Sequence, residues 1–395
     1  MPRPPALQIL RARLEEQQRA GLGRSLVTTG PATGPRVTVR GKDCLLMASN
    51  DYLGLSRHPR LAQAAAAAAQ LNGTGSGASR LVSGTLDDHL ALEEAIARFK
   101  HSEAALFLSS GYLTNLAAVC ALAGPGDLIV SDELNHASLI DACRLSRAKV
   151  RICPHGDAGA AGRLLAEGNT KCLRLLLTDG VFSMDGDMAP LPALLEAARS
   201  RDALLMVDDA HATGVWGPTG RGTAEHYGLN PPPPDLVMIG TLSKALGGMG
   251  GFVAAAGEVI ELLVNRARPF IFSTAPPPAQ VAAAKAAFAL VDEESWRRSK
   301  LHELAARLRA RLCELGFTLL SDQGPIIPLL AGEARTAVAL AKALWKRGVF
   351  APAIRPPTVP KGTSRLRITV TAAHGEDDVD FAAAALQEAA REAGL

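Results

Sequence analysis

Phe, Trp and Tyr together make up only 4% of the 395 residues. The core must therefore be filled by Ala, Leu and Val, with few rings. No CxxC pair occurs among the six cysteines (Cys44, Cys120, Cys143, Cys153, Cys172 and Cys313), and no HExxH occurs among the nine histidines. That argues against a zinc site or a dithiol centre. Thiols so scattered in a long chain are expected to be reduced, mostly buried and cytoplasmic. No run reaches the roughly 18 apolar residues of a membrane span. The longest bland tract, LAQAAAAAAQL (61–71), reads as an ordinary helix. Neither charge sign dominates, with 42 basic and 39 acidic residues interspersed. Binding to nucleic acid or to a membrane is therefore not expected. Residues 1–18 read as a polar, amphipathic helix with no apolar targeting core.

What is present is the composition of a globular protein, 48% hydrophobic and 21% charged. At about 150 residues per domain the length suggests two or three domains. Residues 1–50 read as an N-terminal arm, a helix followed by a hairpin. From 51 to 280, short apolar runs alternate with polar or Gly clusters and Ala/Leu-rich helical stretches. The strand candidates are 103–108, 127–131, 173–178, 203–208, 235–240 and 250–255. That rhythm predicts an α/β fold with a mostly parallel central sheet. Residues 281–395, helix-rich and then mixed, read as a smaller α+β C-terminal domain.

Five polar clusters each follow a predicted strand: SSGY (109–112), SDELNHAS (131–138), TDGVFSMDGD (178–187), DDAHATG (208–214) and GTLSKALGG (240–248). Ligands of open α/β sheets bind outside the carboxyl ends of the strands. Ordinary polar loops would explain one or two such clusters, but not a different chemical group on each. Lys244, at a buried strand end among small residues, is poorly solvated, which favours the free amine and Schiff-base chemistry. Its plain alternative is a snorkelling surface lysine. Asp208 ends an apolar run and can keep a pyridine nitrogen protonated; otherwise it is a helix cap. Asp209 must point to the opposite side. His211 can reach a phenolic oxygen, or be a satisfied core histidine. Gly111 and Tyr112 open an apolar helix whose N–H groups suit a phosphate; an ordinary tight turn explains them equally well. His136 can stack on a flat ring, or belong to a helix cap. The GTGSGASR stretch (73–80) follows a helix, so it is not read as a dinucleotide site. Arg365 and Arg367 share one face of a strand; one of them can clamp a carboxylate and at least one is expected at the surface.

These residues fall within longer motifs: SNDYLGL (49–55), GSGASRLVSGT (75–85), DELNHAS (132–138), DGVFSMDGD (179–187), VDDAHATG (207–214), GTLSKALGG (240–248), FSTAPPPAQ (272–280) and AIRPPTVPKGTSRLRITVTAAH (353–374). As a set they resemble the α-oxoamine synthases, pyridoxal 5′-phosphate enzymes of the aspartate aminotransferase-like fold (fold type I), from about residue 7 to the C-terminus. The resemblance implies that Lys244 is the Schiff-base lysine, that Asp208 pairs with the pyridine nitrogen and that His136 stacks on the ring. It implies that His211 and Ser183 bond the phenolic oxygen. Gly111, Tyr112, Thr241 and Ser243 would surround the phosphate, with Thr274 reaching the phosphate of the neighbouring subunit in a homodimer. Asn50 and Arg367 would hold the amino-acid carboxylate, while Arg24 and Arg355 approach the acyl substrate. Residues 353–374 are most similar to the member that joins L-alanine to a pimeloyl thioester, carried by coenzyme A or acyl carrier protein, in biotin synthesis. The implied products are an aminoketone, carbon dioxide and free thiol. Two positions depart from the family pattern: Ala212 replaces the usual Gly, and Ala275-Pro276 replaces Ser-Met or Ser-Leu. Sister condensing enzymes share the cofactor site, and an aminotransferase of the same fold would release no thiol.

Overall fold

The computed structural model describes residues 5–19, 23–24, 26–169 and 171–395. Helix α1 (Pro5–Arg19) precedes three strands, β1 (Thr29–Thr33), β2 (Arg36–Val39) and β3 (Lys42–Leu46), and then α2 (Pro59–Asn72) and α3 (Asp87–Lys100). Alternation follows: β4 (Ala104–Leu108), α4 (Gly111–Leu122), β5 (Leu128–Asp132), α5 (Ala137–Ser146), β6 (Lys149–Cys153), α6 (Ala158–Leu165), β7 (Arg174–Asp179), α7 (Leu191–Arg199), β8 (Leu204–Asp208), α8 (Thr223–His226), β9 (Leu236–Thr241) and β10 (Gly251–Ala255). Helices α9 (Gly257–Arg266), α10 (Arg268–Ile271), α11 (Pro278–Glu293) and α12 (Trp296–Glu314) come next. The chain closes with β11 (Ile326–Gly332), α13 (Ala334–Lys346), β12 (Val349–Phe350), β13 (Ala353–Ile354), β14 (Ser364–Thr369) and α14 (Glu376–Ala393).

The central sheet has seven strands in the order β4-β10-β9-β8-β7-β5-β6, and β10 runs antiparallel to both its neighbours. Strands β5, β8 and β9 are near-continuous apolar runs because helices cover both faces. Side-chain alternation then divides them. Leu128, Val130, Leu205 and Val207 pack into one core, while Ile129 and Met206 join the core on the other face. Strand β6 was not among the sequence candidates. It is the sheet's edge, and its KVRIC sequence carries Lys149 and Arg151, the charges that protect an edge but hide its periodicity. A second sheet, β1-β2-β3-β12, joins the beginning of the chain to residues 349–350, and a third, β11-β14-β13, lies in the C-terminal part. All six cysteines are free; Cys44, Cys143 and Cys153 are buried, Cys120 and Cys172 half-buried and Cys313 exposed. Among the described residues no helix is long and apolar enough to cross a membrane.

The reversed strand serves the site. Because β10 is antiparallel, its first residue, Gly251, lies at the edge where the parallel strands end. A Cβ there would come within 2.8 Å of the Gly111 Cα, so only glycine lets α4 begin so close to the sheet. At the same edge Asp209 turns away from Asp208. Its carboxylate meets Lys100 Nζ at 3.1 Å with both side chains fully buried, and the Thr223 amide also donates to it at 3.2 Å. Removing one partner leaves a buried charge unpaired. Lys100→Met should therefore cost about 3–5 kcal/mol in denaturant unfolding; a loss below about 1 kcal/mol, the scale of an exposed pair, would show that the pair anchors nothing.

Candidate active site

At the carboxyl edge of the central sheet lies a cavity of about 280 Å³, lined by residues that include Gly111, Tyr112, His136, Ser183, Asp208, His211, Thr241, Ser243 and Lys244. That volume is near the lower bound of about 300 Å³ for small-ligand sites. Each strand end contributes a different group: α4 begins just after β4, His136 follows β5, Ser183 follows β7, and Lys244 follows β9. Asp208 is the last residue of β8.

Lys244 Nζ lies 2.9 Å from His211 Nε2, and His211 Nδ1 lies 2.7 Å from the Tyr52 hydroxyl. Burial lowers the Lys244 pKa to about 8, with Asp208 and Asp179 opposing the shift and Arg367 adding to it. Burial, and then Lys244, Arg367 and His136, push His211 well below its ordinary range, so this imidazole is neutral. A cation that is costly to hold thus sits beside a ring that cannot take a second charge.

Asp208 accepts from Asn115 Nδ2 at 2.6 Å and from the Ala210 amide at 2.9 Å. Asp179 sits opposite it in register on β7. Burial and then the Asp208 charge raise the Asp179 carboxyl well above the usual range. Two adjacent buried carboxyls oppose each other's ionisation, and Asp179 is the one pushed toward its protonated form. His136 caps α5, accepting at Nδ1 from the Ser138 amide at 3.2 Å. Burial lowers its pKa, Asp208 opposes and Lys244 assists. With Nδ1 accepting, the proton of the neutral ring is assigned to Nε2.

The other end is built for an anion. Ser110 caps α4, its hydroxyl accepting from the Leu113 amide at 3.2 Å, and Thr241 and Ser243 hydroxyls lie 2.8 Å apart beside it. A Cβ on Gly111 would lie 3.2 Å from Thr241 Oγ1, inside the space next to the helix start. A carboxyl, a desolvated amine and a helix N-terminus in one cavity fit the ring nitrogen, aldehyde and phosphate of pyridoxal 5′-phosphate.

Asn50 and Arg367 stand just behind this wall. Arg367 Nη1 donates to Asn50 Oδ1 at 3.1 Å, its Nη2 lies 3.4 Å from the Tyr52 hydroxyl, and its Nε donates to the Ser183 carbonyl. The surface position expected for one of the two strand arginines is overturned: Arg365 and Arg367 are 3% and 7% exposed. Both reach the same loop: Arg365 Nη1 bonds Asp185 at 2.6 Å and the Met184 carbonyl at 3.1 Å, so its charge has a counterion, whereas Arg367 is held by neutral acceptors. Three further expected residues lie away from the cavity. Arg24 is exposed, and Arg355 lines a separate groove with Arg335, Lys342 and Lys361. Thr274 pairs with Ser79 across an isolated bridge, while Ala275 N donates to the Ala78 carbonyl at 2.9 Å. The GTGSGASR stretch thus braces the segment carrying Thr274. Tyr52, Asn115, Ser138 and Asp179 were not singled out from the sequence. Tyr52, Ser138 and Asp179 stand inside quoted motifs, but Asn115 does not, and its partners Ser138 and Asp208 come from other βα units.

Since the free amine is the nucleophile, imine formation between emptied protein and pyridoxal phosphate should accelerate about tenfold per pH unit up to the Lys244 pKa. It should level off above about pH 8. Stopped-flow absorbance measures this, and a rate still climbing toward the ordinary lysine range would contradict the desolvated amine. Lys244→Ala should abolish the visible imine band.

A sequence profile described as aminotransferase class I and II matches residues 42–386. The 8-amino-7-oxononanoate synthase of Geobacter sulfurreducens is 51% identical, aligned over 97% of this chain and 98% of its own. That of Thermoanaerobacter pseudethanolicus is 43% identical over 98% of each. Among solved structures, serine palmitoyltransferase from Sphingomonas wittichii superposes with a TM-score of 0.92 at 29% identity, over 99% of this chain and 98% of that one. An 8-amino-7-oxononanoate synthase from Francisella tularensis gives 0.76 at 27% identity, over 89% and 99%. With a cavity suited to pyridoxal phosphate and relatives of this identity along nearly its whole length, the chain belongs to the 8-amino-7-oxononanoate synthases within the pyridoxal-phosphate-dependent class I and II aminotransferase family.

Proposed function

We propose that this protein joins L-alanine to a pimeloyl thioester, forming a bond between the alanine α-carbon and the acyl carbonyl and releasing carbon dioxide and free thiol. The observation that carries this reading is the desolvated Lys244 amine in one cavity with Asp208 and His136. The substrates follow from the names of the relatives at 43–51% identity. When bound, pyridoxal phosphate supplies an electron sink for the carbon that loses its proton. Lys244 moves that α-proton, and its lowered pKa leaves a substantial free-amine fraction near neutral pH. Asp208, fixed by Asn115, would pair with the ring nitrogen and favour its protonated form. His136 would stack on the ring, with its Nε2–H available to a carbonyl oxygen. His211 and Ser183 would meet the phenolic oxygen, while Thr241, Ser243, Gly111 and Tyr112 would hold the phosphate. Arg367 and Asn50 receive the amino-acid carboxylate; Arg24 and Arg355 face the acyl donor, whose carrier is coenzyme A or acyl carrier protein.

The chain is read as a cytoplasmic homodimer, organised as an arm (1–50), a large domain (51–280) and a small domain (281–395). Met249 and Phe272 are 59% and 71% exposed, and Leu7, Leu10 and Leu14 are at least half-exposed on α1. Such apolar surface suits a second copy. Thr274, outside its own cavity, would complete the partner's phosphate site.

Incubation with L-alanine and pimeloyl-CoA should yield the 8-amino-7-oxononanoate mass with stoichiometric free thiol, and alanine should perturb the cofactor spectrum at lower concentration than glycine or serine. Preference for glycine would move the assignment to a sister condensing enzyme, and turnover without thiol release to an aminotransferase. Thr274→Ala should weaken cofactor binding about ten- to a hundredfold, the scale of a hydrogen bond to a charged group. Mixed dimers with Lys244→Ala should regain one tight site each. If mixing restores nothing, Thr274 does not act across an interface.

A further inference from the structure

The loop that carries Ser183 is held from two sides. Arg365 and Arg367 of β14 grip its tip at residues 183–185. Its base is a narrow turn in which the Phe182 amide donates to the Asp187 carbonyl at 2.9 Å and Val181 bridges Met188. There Asp187 meets His155, in the turn after β6.

His155 Nε2 lies 2.8 Å from Asp187 Oδ2, and its Nδ1 lies 3.1 and 3.2 Å from the two oxygens of Asp132. Carboxylates only accept, so a ring between two of them donates from both nitrogens and is an imidazolium. Those two contacts, against the opposing effect of burial, push its pKa up to about 10. The remaining acidic groups close to the turn are Glu133, whose Oε1 accepts from the His155 amide at 3.0 Å, and Asp157, which caps α6. The ring also packs edge-on against Phe182, with centroids 4.4 Å apart.

Each carboxylate belongs to a different wall of the cavity. Asp132 ends β5, and its oxygens accept from the Leu134 and Gly156 amides at 2.9 and 2.8 Å, which shapes the loop leading to His136. Asp187 closes the loop of Ser183, and its second oxygen, Oδ1, is buried without a partner, so His155 is the side-chain contact that its carboxylate has.

We propose that His155 is a positioning residue: its imidazolium ties the loop bearing Ser183 to the loop bearing His136 and so fixes the two groups relative to each other. The inference rests on this cavity being the reacting site, but the clamp can be read without turnover. His155→Gln is neutral and can serve only one carboxylate. His155→Arg keeps the charge and offers a fork to both. Hydrogen exchange of the cofactor-free protein should show faster exchange over residues 182–187 in His155→Gln and near wild-type exchange in His155→Arg. In the loaded protein, His155→Gln should shift the pH midpoint of the visible cofactor band. It should also lower kcat about ten- to a hundredfold, the cost of small misplacement of reacting groups, with the thioester KM unchanged and His155→Arg recovering most of the loss. Wild-type exchange and spectrum in His155→Gln would overturn the proposal. So would a defect that His155→Arg leaves uncorrected, since packing against Phe182 alone would then explain it. A wild type that makes no product while the exchange arm behaves as expected would remove the reaction and leave the clamp standing.

Discussion

A charged amine is expensive to keep away from water, and the cavity is organised around that cost. Among the described residues, no carboxylate is hydrogen-bonded to Lys244. Its closest polar neighbour is a neutral imidazole at 2.9 Å. The carboxyl of Asp208, which lines the same cavity, is occupied by Asn115 and the Ala210 amide. The amine is therefore poised between forms, which suits the proposed double role of nucleophile and proton carrier. The separation of roles among acidic residues supports this. Asp209 pairs with Lys100 on the far side of the strand, while Asp208 and Asp179 both line the cavity and burial with the Asp208 carboxyl pushes Asp179 toward its protonated form.

The sheet makes this convergence possible. Parallel strands deliver their carboxyl ends to one edge, and groups distant in sequence meet there. The single reversed strand, β10, then lets Gly251 admit the start of α4. The C-terminal sheet takes part as well. Through Arg365 and Arg367 it holds the backbone of the Ser183 loop, so the smaller sheet acts as a wall of the site.

Much of this could be read in the sequence. The strand runs of the parallel sheet are long and apolar because both faces are covered, and the polar clusters behind them mark the ligand edge. Strand β6 was hidden because an exposed edge suppresses periodicity. Burial of both Arg365 and Arg367 was not legible either, because Asp185 and the carbonyls of 183 and 184, which compensate them, are about 180 residues away. Asn115 and Ser138 act through each other, Nδ2 to Oγ at 2.8 Å, across two helices whose packing no local pattern reveals. Residues whose role lies in their own chemistry, such as Lys244 and Asp208, stood out. Those whose role lies in a partner did not.

The parallel pairing of β12 with β3 has a consequence for biogenesis. Leu45 N bonds the Gly348 carbonyl at 2.8 Å, and Met47 N bonds that of Phe350 at 3.0 Å. A contact spanning some 300 residues raises contact order and cannot form until its distal strand has left the ribosome. The segment leading into Asn50 and Tyr52 therefore waits for the last part of the chain, and the central sheet can assemble well before the wall behind the cavity is complete. Nascent chains should thus pass through a stage with a formed sheet and an unfinished catalytic rim, exposed to chaperones before it is exposed to substrate.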